Sequence, residues 1–215
     1  MSLCRCTVQL TDASAFDQPL EKWDVSNVHY MDSMFAWAYS FNQPIERWNV
    51  SNVYNMRAML YFAKSFNQPL NSWNVSNVYT ITCMFGGAKS FNQPLNDWDV
   101  SNVENMVQMF DDASSFNQPL DRWDVSKVKD MTCMFYGATS FRQPVTAWKL
   151  QGQTTRGIFL DLPDYCDMES RVMCLTPHND EVMKYDLEDM INLFGEKTVR
   201  DALRLYGEKY GLKED

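Results

Sequence analysis

Phenylalanine recurs every 25 residues, at Phe16, Phe41, Phe66, Phe91, Phe116 and Phe141, and Trp23, Trp48, Trp73, Trp98, Trp123 and Trp148 keep the same interval. Such self-similarity dictates a stack, because one unit is too short to bury its own apolar side chains and must lay them against its neighbours. Residues 41–65 read FNQPIERWNVSNVYNMRAMLYFAKS and the next unit reads FNQPLNSWNVSNVYTITCMFGGAKS; five complete repeats fill 16–140 and a last expected strand fills 141–150. Leu3, Cys6, Leu10 and Ala13 fall on the slots of Val28, Met31, Phe35 and Ala38, so residues 1–15 are expected to form a half-coil N-terminal cap.

Within a unit the apolar spacing changes. Trp23 and Val25 alternate around Asp24, which predicts a short strand, and Val28, Met31, Met34, Phe35 and Ala38 follow at helical spacing. The expected coil is a strand plus a helix, giving an α/β solenoid with about six parallel strands. Ser26, recurring as Ser51, Ser76, Ser101 and Ser126, stands where an N-cap is wanted. Gln18-Pro19 and its repeats turn the chain into the strand, since proline fixes its own φ and biases its predecessor to extended geometry. The glutamine column is expected to hydrogen-bond along the stack.

The unit FNQPLxxWxVSNVxxMxxMFxxAxS resembles the repeat of BspA-like, mycoplasma-lipoprotein-type surface proteins, a divergent leucine-rich-repeat family, over residues 3–150. The resemblance implies right-handed β/α, leucine-rich-repeat-like coils used for adhesion or protein binding, with no catalytic residues to carry over. The start MSLCRCTVQLTD shows no export signal or lipid-attachment site. An intracellular place, or one inside a virus particle or infected host cell, is therefore expected rather than a secreted one.

Composition narrows the function. A hydrophobic share of 45% with 14% aromatics excludes a disordered chain, and no apolar run nears the ~20 residues of a membrane span, so no membrane insertion is expected. A net charge of -9 argues against nucleic acid. Residues 151–215 carry 14 acidic and 8 basic residues and are expected to form a small α+β C-terminal cap. Its strands would be 157–162 and 171–175, followed by two short helices around Leu187, Met190, Ile191 and Phe194 and around Val199, Ala202, Leu203 and Tyr206.

Repetition separates what the stack requires from what varies. On the expected helix side His29, Tyr54 and Tyr79 share one slot, Trp37 and Phe62 another, with Tyr30, Tyr39 and Tyr61 close by. These eight residues are the candidate partner-binding site, since exposed aromatics concentrate binding energy. The expected function is a non-enzymatic protein-protein interaction or structural scaffold, with another protein or a like copy as partner and no cofactor. The alternative is a carbohydrate-binding or carbohydrate-active solenoid using the acidic strand face. There Asp99 and Asp124 would lie ~4.8 Å apart on adjacent rungs, near a retaining glycosidase's ~5 to 5.5 Å, with Asp97 and Asp121 raising one pKa. Cys83 and Cys133 lie two rungs, ~10 Å, apart, too far to bridge. Cys4, Cys6 and His29 make a poor zinc set, and no metal site is expected. Cys166 and Cys174 are expected to stay reduced.

Overall fold

The computed structural model describes residues 13–148, 150, 152–155 and 158. The expected N-terminal half-coil before Ala13 and the expected strands and helices of the tail lie outside these residues. Coils 1 to 5 below are residues 16–40, 41–65, 66–90, 91–115 and 116–140.

Equivalent residues stack, but the coil is not a strand plus a helix. Among the described residues the only helical element is a single 3-10 turn, Ala13–Ala15, and pairing is confined to isolated parallel bridges running Tyr30, Asn55, Thr80, Asn105, Asp130, Thr154. The expected β/α architecture with a six-stranded sheet is thereby overturned. Each coil is instead a succession of tight turns. In coil 2 and at its junction with coil 3 the amides of Trp48, Val53, Met59, Tyr61, Ala63 and Phe66 each donate to the carbonyl three residues earlier, at 2.9–3.2 Å. Three-residue turns place apolar side chains at intervals of three and four, which is the pattern that reads as helical.

Geometry explains why a helix cannot form. Successive phenylalanines stack with ring centroids 5.7–6.0 Å apart in the Phe41 column, and Phe85, Phe110 and Phe135 on the expected helix side stack at 5.5–5.6 Å. Both sides of the coil therefore advance by the same small step, whereas packed α-helices need roughly 8–10 Å between axes. Left-handed residues also interrupt any helix. Ser33, Ala58, Cys83, Gln108 and Cys133 share one such slot at φ 53–59°, and Trp37, Phe62, Gly87, Asp112 and Gly137 share another at φ 56–69°.

The backbone ladder lies where the helix was expected. Amides of Met56, Ala58, Leu60 and Phe62 donate to carbonyls of Thr80, Thr82, Met84 and Gly86 in the next coil at 2.7–3.1 Å. The intervening amides of Met59 and Tyr61 close the turns within the coil, and that of Arg57 bonds the Asn55 carboxamide at 2.8 Å. Alternate amides thus bind between coils and within them, and this stretch, 29–37 in coil 1, is called the arc below.

Where the strand was expected, side chains hold the coils together. Each tryptophan indole from Trp48 on donates to a carbonyl of the preceding coil, from Leu20 for Trp48 at 3.3 Å to Leu120 for Trp148 at 2.9 Å. The Oδ1 atoms of Asn42, Asn67 and Asn92 each accept from the backbone amide 25 residues on, at 2.9 Å. The glutamine amides do bond along the stack, yet to the carbonyl or side chain of this Asn column and not to one another. The serine column caps nothing: the Ser26 amide donates to Asp24 Oδ1 at 3.0 Å, and Ser51, Ser76, Ser101 and Ser126 repeat that Asx turn.

The core is a set of columns, with Phe66, Leu70, Val78, Met84, Phe85 and Ala88 of coil 3 fully inaccessible. The stack runs past residue 150. Thr154 donates to Lys129 and accepts from Met131, and buried Ile158 accepts from Phe135, each one residue short of the interior spacing on the accepting side.

Candidate functional site

The arc closes on a left-handed residue, Trp37 at φ 66° in coil 1 and Phe62 at φ 56° in coil 2. Two large rings therefore stand at that slot, the Phe62 ring half-buried. They stack with centroids 4.5 Å apart and planes 4° apart, and Tyr61 and Tyr39 pack edge-on against Trp37 at 5.4 and 6.3 Å. Trp37 nevertheless remains 47% exposed. Coil 3 supplies the seat. A Cβ on Gly87 would fall 2.8 Å from the Phe62 ring, and one on Gly86 would fall 2.9 Å from Tyr61, so this pair of glycines receives the two aromatics of the coil before.

The second group forms at the start of the arc. His29 and Tyr54 stack at 5.3 Å, the imidazole held by a 2.9 Å contact from Nδ1 to the Asn52 carbonyl, and Tyr79 occupies the next place through its amide bond to Tyr54. Tyr54 and Tyr79 are 42% and 45% exposed. Seven of the eight candidate residues therefore form two clusters, His29-Tyr54-Tyr79 and Trp37-Tyr39-Tyr61-Phe62, at the two ends of the arc in coils 1 to 3. Tyr30 lies between them on the ladder, bridged to Asn55 and part-buried.

Sequence reasoning missed the cations of this face. Lys64 places its ammonium 4.0 Å from the Tyr39 ring centroid, and Arg57 and Lys89 are exposed on coils 2 and 3. It also missed a polar chain across coils 3 and 4. The Cys83 thiol donates to Gln108 Oε1 at 3.8 Å, and Gln108 Nε2 donates to Asp111 Oδ2 at 2.8 Å. Burial, with Asp112 adding repulsion, pushes the Asp111 carboxyl up to about 6 against the opposing Gln108 bond. Burial likewise raises the Cys83 thiol and the Tyr61 phenol, so neither is activated. Lone polar residues at two coil positions carry no periodic signal, which is why the repeat does not announce them.

On the acidic face the carboxylates serve local bonds. Asp99 and Asp124 are committed to Asx turns, accepting from the amides of Ser101 and Ser126 at 3.1 and 3.0 Å. Hydrogen bonds from Ser126 lower the Asp124 carboxyl, opposite to the shift a general acid needs. Asp97 pairs with Arg122 at 2.9 Å, and Asp121 accepts from Asn96 Nδ2 at 2.9 Å. Cys83 and Cys133 both carry thiols and are not bridged to each other. Cys4, Cys6, Cys166 and Cys174 lie outside the described residues.

A family model described as "Mycoplasma protein of unknown function, DUF285" matches residues 5–96 and again 70–163. These two overlapping matches cover most of the chain, which therefore belongs to that family. No curated protein and no solved structure matches it.

Proposed function

We propose that this member of the DUF285 family is a non-enzymatic interaction or scaffold module that docks another protein, or a second copy, on the aromatic arc of coils 1 to 3. One observation carries the reading. Coils 2 to 5 bury the same core slots, and coil 1 buries all of them but Phe16, Trp23 and Val28, yet Tyr54 and Tyr79 give way to Glu104 and Lys129 in the later coils, and Trp37 and Phe62 to Gly87, Asp112 and Gly137. The stack therefore forms without exposed rings in these slots, and the aromatics of the first coils answer to something outside it. Exposed tryptophan and tyrosine supply large contact area at low entropic cost, the usual make-up of a binding hot spot. The likeness of the unit to BspA-like surface-protein repeats supports the same reading.

The test compares two forms of the full chain. The triple variant Trp37→Ala, Tyr54→Ser, Tyr79→Ser should keep the unfolding midpoint close to that of the unmodified chain, because these side chains are 42–47% exposed. It should lose a protein that the unmodified chain retains on co-purification from its native source. Retention of the same proteins by both forms would sink the proposal, as would glycan hydrolysis abolished by Asp124→Asn.

A further inference from the structure

The face that carries the arc is not electrically uniform. Residues 29–40, 54–65 and 79–90 hold the cations Arg57, Lys64 and Lys89 against the single carboxylate Asp32, whereas 104–115 and 129–140 hold Glu104, Asp111, Asp112 and Asp130 against Lys129 alone. Two of the three cations, Arg57 and Lys89, are exposed, and the ion pairs among the described residues, Arg122 with Asp97 and Lys129 with Glu104, involve neither. The third lies over the Tyr39 ring. The aromatic end of the face is thus its positive end, on a chain whose net charge is -9.

We infer that the partner segment received by the arc is an acidic peptide segment with apolar side chains, seated on coils 1 to 3. Its apolar side chains cover the exposed faces of Trp37, Tyr54 and Tyr79, and its carboxylates reach Arg57, Lys64 and Lys89. Phenol hydroxyls of Tyr54 and Tyr79, at the other end of the arc, donate to further carboxylates of the segment. The acidic coils 4 and 5 repel such a segment, which fixes its place on the face as well as its sign; opposed potentials of this kind set register and reject wrong partners. A basic partner would find the reverse arrangement, with its charges over coil 4 and its apolar groups far from the rings. This inference rests on the protein-docking reading above.

The experiment uses the full chain and a fluorescein-labelled peptide of about a dozen residues with glutamate and leucine alternating, followed by fluorescence anisotropy. Two control peptides replace glutamate by lysine or leucine by serine. The acidic-apolar peptide should bind, both controls should bind at least about tenfold more weakly, and the affinity should fall as salt rises. Arg57→Glu with Lys64→Glu should cost at least about tenfold, as should Trp37→Ala, while Lys22→Glu with Arg47→Glu, in the turns at the other side of the coil, should change it less than about twofold. Equal binding of the lysine peptide, or indifference to the Arg57 and Lys64 reversal, would overturn the assignment. So would a probe that binds only after Asp161, Asp164 and Asp167 are changed to Asn, since the occupant would then be this chain's own acidic segment. If no peptide binds while the aromatic triple variant still loses its co-purifying protein, the docking reading stands and the acidic class falls.

Discussion

At Asp111 the fold holds a carboxyl that resists ionisation. Its value of about 6 stands above the ~3.9 of an unfolded aspartate, so the folded chain binds this proton more tightly than the unfolded one. The sign follows: the contribution is fully present below about pH 4 and is lost as pH rises through about 6. Asp111→Asn keeps an oxygen for Gln108 Nε2 and removes the charge. It should raise the urea midpoint at pH 7.5 and leave it nearly unchanged at pH 4, and an equal gain at both would show that ionisation is not the cause. Core residues behave differently. Trp73 is buried between Trp48 and Trp98 of its column, and its indole donates to Ile45, so Trp73→Ala should cost about 3–5 kcal/mol in denaturant melts. Exposed Lys89→Ala should cost under about 0.5 kcal/mol. Equal effects would mean that the assignment of inner and outer slots is wrong.

The turn is the element of this protein, and its left-handed slots govern what a substitution does. Ala58 sits at φ 53° with its Cβ opposed by sterics, whereas Gly87 sits at φ 69° beneath the Phe62 ring. Ala58→Gly should therefore be neutral or stabilise by up to about 1 kcal/mol, the reverse of its effect in a helix. Gly87→Ala should destabilise by about 1–3 kcal/mol, and adding Phe62→Ala should recover part of that loss by removing the ring, which a double-mutant cycle measures. Loss of stability from Ala58→Gly at the ~1 kcal/mol of a helix interior would restore the helix that the sequence spacing predicts. That prediction misled for a physical reason. Val28, Met31, Met34, Phe35 and Ala38 are inward in a helix and inward in consecutive three-residue turns, so the apolar pattern cannot separate the two. What separates them is the 5.5–6.0 Å step between coils, which arises only once neighbours stack. The serine column misled in the same way: an oxygen-bearing residue before an apolar run marks an N-cap, while the acceptor here is the Asp or Asn two positions earlier. The aromatic clusters were legible because they vary against a fixed repeat, and Arg57, Lys64 and Lys89 were not, since single surface cations look alike until the fold places them.

Among the described residues each coil bonds only to its neighbours, and stability is distributed accordingly. The Phe, Trp and Gln columns were readable as a stack from their 25-residue interval, but its end was not. Gln151-Gly152-Gln153 breaks the side-chain pattern, while the backbone ladder asks for no particular side chain and continues to Thr154 and Ile158. An array with nearest-neighbour contacts opens from its ends, because a terminal coil breaks one junction on leaving and an interior coil must break two. Ladder amides report this directly, since each one spans a junction. Those of Ile81, Cys83, Phe85 and Gly87, which bond coil 3 to coil 4, should exchange with solvent most slowly. Those of Met31, Ser33, Phe35 and Trp37 at one side and Met131 and Phe135 at the other should exchange progressively faster, and Trp73→Ala should accelerate the central set more than the outer ones. Uniform protection of every ladder amide, before and after that substitution, would instead mean that the coils open as one cooperative block, and the nearest-neighbour account of their stability would fail.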